Sequence, residues 1–218
     1  MSKYRVLVAD DHAIIRDCIK AILEDTEDLE VTGEASYGFE LMQAIREQEF
    51  DLLLLDISMP GRNGIDLIRL VKAERPHMPI LMFTMHKEEW YALRAMQAGA
   101  SGYLTKESGR VTVIDAMRRV AQGGVYISDK VAEIMAKCLQ PNNENKCPHT
   151  ELSDREFQIF EMLVHGMKLT QIAEEFSLSV KTVSTHKTRL LQKLNITNMS
   201  ELIRYAISQK LIDPDEMI

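Results

Sequence analysis

Features of secreted or membrane-spanning proteins are missing from this sequence. It has three cysteines, Cys18, Cys138 and Cys147. An odd number with no framework spacing points to free thiols in a reducing compartment. Cys138, Cys147 and His149 follow no zinc-ligand spacing, so no metal is assigned to them. No stretch approaches the ~18 consecutive apolar residues that cross a bilayer. The N-terminus enters a strand pattern directly, without the character of a signal peptide. A cytoplasmic protein with no membrane partner is expected. An excess of positive charge is also absent. The net charge of −7 gives no global mark of nucleic-acid binding, so any such reading needs a local basic patch. Hydrophobic residues make up 45% of the 218, ample for a packed core in one or two domains.

Strand and helix patterns alternate about five times over residues 4–122. Short apolar runs lie near 4–9, 29–35, 51–55, 79–83 and 101–104. Helical periods lie near 13–25, 38–48, 64–75, 87–98 and 109–122. This alternation predicts a doubly wound α/β fold, a parallel sheet with helices on both faces. Gly123-Gly124 stops the last of these helices, and Ser128 caps a short one near 128–140. The polar stretch 140–150, with two prolines and no apolar period, reads as a linker. From Ser153 the pattern is purely helical. Ser153-Asp-Arg-Glu156 is a capping box opening a helix to about Val164, closed by Gly166. Thr170 is expected to cap a short helix, Gln171 to Phe176. After a turn at Ser177-Leu-Ser179, Ser179 caps a longer helix from Val180 to about Leu194. Ser200 caps a last helix to about Gln209. A short helix, a tight turn and a longer helix form a helix-turn-helix pattern. The expected domains are 1–125, a linker with a short helix at 126–150, and 151–218.

Four strand patterns end in chemically capable groups: Asp10-Asp11, Asp56, Thr84 and Lys106. In an open α/β sheet the carboxyl ends of the strands share one edge, where ligands bind. Three carboxylates, a hydroxyl and an ammonium on one edge suit a divalent cation and a phosphoryl group. Mg²⁺ takes hard oxygen ligands and keeps several waters, so two or three carboxylates suffice. Phosphoryl transfer to a carboxylate needs cations on the equatorial oxygens. Asp56 is the candidate nucleophile. Asp10, Asp11, Asp56 and the backbone carbonyl of Ser58 are the candidate Mg²⁺ ligands. Lys106 and Thr84 would contact phosphoryl oxygens.

Asp10-Asp11-His12, Asp56-Ile-Ser-Met-Pro-Gly, Thr84 and Lys106 resemble the receiver domain of bacterial two-component response regulators over residues 1 to about 125. The resemblance implies a five-stranded sheet in the order 2-1-3-4-5, Asp56 as phosphoacceptor, bound Mg²⁺, and a histidine kinase or phosphotransfer partner. It also implies that Tyr103 is the switch aromatic, moving inward when Thr84 swings toward the phosphoryl group.

Residues 151–218 carry eight Lys/Arg against ten Asp/Glu. Lys181, Lys187, Arg189 and Lys193 nonetheless fall together, with no acid between Glu175 and Glu201. On the long helix, Val183, Leu190 and Leu194 form the apolar stripe. Lys181, Ser184, Thr185, Thr188 and Gln192 lie opposite, a small polar face suited to a DNA major groove. The cations would meet phosphates, and the hydroxyls and amide would reach base edges. Leu152-Ser-Asp-Arg-Glu156, Gly166, Gln171-Ile-Ala173, Ser179 and Lys181-Thr-Val-Ser-Thr-His186, then Lys193-Leu194, resemble the LuxR-type helix-turn-helix. With Thr182 added, the implied DNA-binding set is Lys181, Thr182, Ser184, Thr185, Lys187, Thr188, Arg189 and Lys193. Ser184 stands where many relatives carry Lys or Arg.

Together the two resemblances are to the NarL/FixJ-type response regulators. They imply a phosphorylation-controlled transcription factor, not an enzyme, that binds double-stranded promoter DNA as a homodimer, with RNA polymerase as a further partner. An Asp-dependent phosphohydrolase would place its nucleophile in an Asp-x-Asp pair after the first strand; here Asp10 and Asp11 are adjacent and Asp56 follows the third. The three carboxylates with Thr84 and Lys106 argue against a ligand-gated LuxR-type regulator whose first domain binds a small molecule. A regulator that binds DNA without phosphorylation is separable only by measurement.

Overall fold

The computed structural model describes residues 3–59, 64–85, 88–139, 151–176, 178–209 and 211–212. The polar stretch 140–150 with Cys147 and His149, the motif residues Pro60 and Gly61, Ser177 and the side chain of Cys138 lie outside the described part. The chain divides into two compact units, Met1–Ala136 and Lys137–Ile218.

The first unit runs β1 (Tyr4–Ala9), α1 (Ala13–Glu24), β2 (Leu29–Ala35), α2 (Gly38–Glu47), β3 (Leu52–Leu55), α3 (Gly64–Glu74), β4 (Ile80–Thr84), α4 (Glu88–Ala98), β5 (Gly102–Thr105) and α5 (Arg110–Ala121). The five strands form one sheet in the order β2-β1-β3-β4-β5, and every pair is parallel. The expected elements recur within one or two residues, because each strand is a short apolar run bounded by polar or turn residues. The central run Leu52–Leu55 is buried throughout, as a strand covered on both faces must be. Alternation sorts its side chains. Val6, Val8, Leu52, Leu54, Leu81 and Phe83 join Ile19 and Leu23 of α1 and Val113, Met117 and Val120 of α5 in one core cluster.

After α5 the chain returns to the sheet edge. Tyr126 accepts a hydrogen bond on its carbonyl from Tyr103 N–H at 3.1 Å and donates its own N–H to Ser101 O at 3.0 Å. Gly102 makes the approach feasible, since a Cβ there would lie 2.7 Å from the Tyr126 carbonyl oxygen. Then α6 (Asp129–Leu139) begins, with Ser128 Oγ accepting from Val131 N–H.

The second unit comprises α7 (Asp154–Val164), α8 (Leu169–Glu175), α9 (Val180–Leu194) and α10 (Met199–Ser208). Phe157 and Phe160 of α7, Val183, Leu190 and Leu194 of α9, and Leu202 and Ala206 of α10 are all buried. The Ser153–Glu156 capping box is formed, and Ser179 Oγ accepts from Thr182 N–H at 3.1 Å. Two caps differ from expectation. The helix assigned to Thr170 starts earlier, at Leu169, and Gln171 Oε1 accepts from Lys168 N–H at 2.9 Å. The last helix is capped by Asn198, whose Oδ1 accepts from Glu201 N–H, rather than by Ser200. Asn and Ser cap equally well, and the three-residue reach to Glu201 selects Asn198.

Candidate functional site: an acidic sheet edge and a basic helix

Strand register assembles the acidic edge. β1 and β3 pair with Ala9 opposite Leu55, so the next residues, Asp10 and Asp56, stand side by side. Asp56 N–H donates to Ala9 O at 2.9 Å, and Asp10 N–H donates to Ala35 O at 3.0 Å. β4 and β5 end together with Thr84 opposite Thr105. Lys106 N–H donates to Thr84 O at 2.9 Å, which aims its side chain back across the edge.

The Lys106 ammonium lies 2.6 Å from Asp10 Oδ2 and 2.8 Å from Asp56 Oδ2, and all three side chains are almost wholly buried. Burial works to lower the Lys106 pKa, but the hydrogen bonds from its ammonium to Asp10 and Asp56 outweigh it and hold the pKa above its ordinary value. One ammonium is shared by two carboxylates, and a third, Asp11, lies beside them. Ligand atoms of Asp10, Asp11, His12 and Asp56 all lie within 4.8 Å of one another. Asp56 Oδ1 is buried with no hydrogen-bond partner among the described residues. A buried carboxylate oxygen without a donor is costly, and uncompensated negative charge with hard oxygens is the donor set that Mg²⁺ takes. The residues present fit such an ion.

Thr84 and Tyr103 are fully buried beside this edge, so the Tyr103 ring is inward in this structure. Ser58 is exposed just past Asp56. Three residues without an assigned role at the sequence level also shape the site. Gly64, first residue of α3, donates its N–H to Ile57 O at 2.9 Å. A Cβ on Gly64 would lie 2.8 Å from the Asp56 carbonyl oxygen and 2.6 Å from Ile57 Cα. Arg16 donates to the Asp10 carbonyl at 2.8 Å and to Glu34 at 3.0 Å, tying the end of β1 to β2. His12 donates its N–H to Asp10 Oδ1 at 2.9 Å and sets its ring 2.8 Å from Asp11. A glycine opening a helix is the only local signal among these; the other two become visible through contacts across elements.

The basic helix is α9. Val183, Leu190 and Leu194 are buried, while Lys181, Ser184, Thr185, Thr188, Arg189 and Gln192 are exposed. Thr182 and Lys187 are partly exposed. Thr185 and Thr188 donate their hydroxyls to the Lys181 and Ser184 carbonyls at 2.9 and 3.0 Å, leaving oxygen lone pairs and methyls outward. Lys193 differs from the other cations. Its ammonium donates to Glu156 Oε2 at 2.7 Å and to Glu151 O at 3.2 Å. Among the described residues no helix is long and apolar enough to cross a membrane.

Residues 6–118 match the response regulator receiver domain family, and residues 150–206 match the luxR family of bacterial regulatory proteins. The chain is 37% identical to the response regulator UvrY of Escherichia coli K12, over 97% of each chain. It is also 37% identical to the response regulator GacA of Pseudomonas aeruginosa, over 96% of this chain and 98% of that one. Among solved structures it is similar to RcsB from Salmonella enterica serovar Typhimurium bound to promoter rprA in the presence of the phosphomimetic BeF₃⁻. That likeness has a TM-score of 0.65 at 25% identity and covers 94% of this chain and 98% of that one.

Proposed function

Because the chain belongs to the two-component response regulators that join a receiver domain to a luxR-family DNA-binding domain, we propose that a phosphoryl group accepted at Asp56 controls how its helical unit binds DNA. The donor is a phosphohistidine of a sensor kinase or phosphotransfer protein. An Asp56 carboxylate oxygen attacks phosphorus, the P–N bond breaks, and the departing imidazole takes up a proton. Lys106, already against Asp56, meets the charge that arrives on one phosphoryl oxygen, and Thr84 donates its hydroxyl to another. Asp10, Asp11, Asp56 and the Ser58 carbonyl are the groups that would hold Mg²⁺, which when bound neutralises carboxylate and phosphoryl charge. The observation that carries this reading is the buried Lys106 between Asp10 and Asp56, with Asp56 Oδ1 left without a hydrogen-bond donor. The protein takes part once per signal and regenerates on dephosphorylation, as a phosphoacceptor rather than an enzyme.

The division of labour follows the sequence: 1–125 receives the phosphoryl group, 126–150 connects, and 151–218 binds DNA. Movement of Tyr103 in step with Thr84 carries the signal to the surface around β4 and β5, a population shift between two states. The DNA-contacting groups are Lys181, Lys187 and Arg189 on phosphates, with Thr182, Ser184, Thr185 and Thr188 toward bases. The partner is double-stranded promoter DNA, as in the RcsB complex, bound by two copies of this chain so that two α9 helices enter the groove about one turn of DNA apart. RNA polymerase is the expected partner downstream, and the cytoplasm the expected compartment.

Treatment with acetyl phosphate and Mg²⁺, followed by intact-mass measurement, tests the acceptor. The wild-type chain should gain one phosphoryl group and bind DNA more tightly, and Asp56→Asn should gain neither. A full adduct on Asp56→Asn would remove Asp56 from the role, and unchanged DNA binding in the phosphorylated wild type would favour phosphorylation-independent control.

A further inference from the structure

Four cations lie on α9, and three of them have no acidic partner holding them to the fold among the interactions described. The fourth does. Lys193 stands in the last turn of α9, and its ammonium reaches the first turn of α7. It donates to Glu156 Oε2 there at 2.7 Å, and to the carbonyl of Glu151, just before the helix, at 3.2 Å. The same Glu156 oxygen accepts from Ser153 N–H at 2.8 Å and completes the α7 capping box. The Glu156 side chain is only 5% exposed. A carboxylate that deep requires a counter-charge, and removing one member of such a pair strands the other in a poor solvent. For Lys193 to swing out to a DNA phosphate, it would have to abandon Glu156 and loosen the cap of α7.

We infer that Lys193 is a positioning residue: through Glu156 it locks the C-terminal end of α9 onto the N-terminus of α7, setting the helix orientation from which Ser184, Thr185 and Thr188 read bases, and it makes no phosphate contact of its own. This rests on α9 being the DNA-reading helix. Two charges at opposite helix ends also suit their dipoles, with the carboxylate at the start of α7 and the ammonium at the end of α9. Loss of the pair leaves the apolar stripe in place, so α9 stays packed but is free to roll. Base discrimination is more sensitive to such a roll than phosphate attraction, because base contacts are short and directional while charge attraction is not.

The test uses the full chain and a duplex selected by it from a random-sequence pool, with a scrambled duplex of equal length as reference. Lysine acetylation of the native wild-type protein, read by mass spectrometry, needs no variant. DNA should slow acetylation at Lys181 and Lys187 and leave the rate at Lys193 unchanged. In binding titrations at several salt concentrations, Lys187→Ala should lower the salt slope by about one and keep the preference for the selected duplex. Lys193→Met should keep the wild-type slope and lose about tenfold in that preference, with an unaltered circular dichroism spectrum. Lys193→Arg should restore the preference. Adding Glu156→Gln to Lys193→Met should cost nothing further, because both remove one pair. Protection of Lys193 by DNA, a slope reduced by one in Lys193→Met, or additive losses in the double variant would each overturn the inference. Failure of DNA to protect any of Lys181, Lys187 and Lys193 is a different pattern, and it would overturn the reading of α9 together with this inference.

Discussion

At the scale of single residues, the acidic edge is a balance of buried charge. Lys106 offsets Asp10 and Asp56 at 2.6 and 2.8 Å with almost no solvent contact. Its removal strands two carboxylates. Lys106→Met is therefore expected to lose about 3–5 kcal/mol of stability in urea unfolding, and Mg²⁺ should restore more of that loss than it adds to the wild type, because the site becomes more negative. Equal stabilisation of both proteins by Mg²⁺ would show that the cation does not bind among these carboxylates. Gly64 acts by having no side chain. Gly64→Ala pushes a methyl against the Asp56 carbonyl and Ile57 backbone, and should cost about 1–3 kcal/mol, the usual range for overpacking. It should also slow phosphorylation by acetyl phosphate, read as the initial rate of adduct formation. These residues differ in how visible they are beforehand. Asp10, Asp56, Thr84 and Lys106 end apolar runs and stand out in one dimension. Gly64 and Arg16 act on backbone atoms of other elements, and their own surroundings in the chain do not announce that.

At the scale of elements, helix ends decide the second unit. Ser179 Oγ receives the Thr182 N–H, so Ser179→Ala should cost about 0.5–2 kcal/mol, measured as a lower thermal midpoint for the C-terminal unit. Acid should weaken the α7–α9 contact. Burial works to raise the Glu156 pKa, but the Lys193 ammonium and the Ser153 N–H overcome this and hold it below the ordinary glutamate value. A carboxyl depressed in the folded state binds its proton more tightly when unfolded. Its stabilisation is therefore complete above the unfolded-state pKa and drains away as pH falls through the folded one. Amide exchange in α7 should accelerate across that acidic window in the wild type, and Glu156→Gln should lose that pH dependence. The caps also show where local reading reaches its limit. Ser153, Ser179 and Ser128 cap where the sequence places them, whereas Asn198 takes the place of Ser200, and at Lys168 no side chain caps the helix and Gln171 reaches back to the Lys168 N–H instead. Asn198 and Ser200 have similar capping power, and only the chain's entry angle ranks them.

At the scale of the whole molecule, the two compact units match two separate family likenesses, at 6–118 and 150–206. The stretch 140–150 between them is polar, with two prolines, in sequence. Chains of residues 1–139 and 151–218 expressed separately should each unfold cooperatively. The C-terminal piece should bind DNA with an affinity that acetyl phosphate does not change, whereas the full chain responds. A C-terminal piece that fails to bind any duplex preferred by the full chain would show that DNA recognition requires the first unit as well.

What the sequence determined by itself was the alternation of strands and helices, the switch to a purely helical period at Ser153, and the gathering of Asp10, Asp11, Asp56, Thr84 and Lys106. A parallel sheet places every strand's carboxyl end on one edge, so a pattern local to each strand is enough to bring distant residues together. Only the tertiary structure decided which charges are already engaged. Lys193 looks like any other cation on α9 until α7 supplies Glu156, 37 residues away in the chain. Periodicity fixes the face on which a side chain emerges, but not the neighbour that meets it there. That depends on how elements far apart in sequence pack, and so the Lys193 pair, the Gly64 approach to Asp56 and the Arg16 hold on Asp10 became legible only in three dimensions.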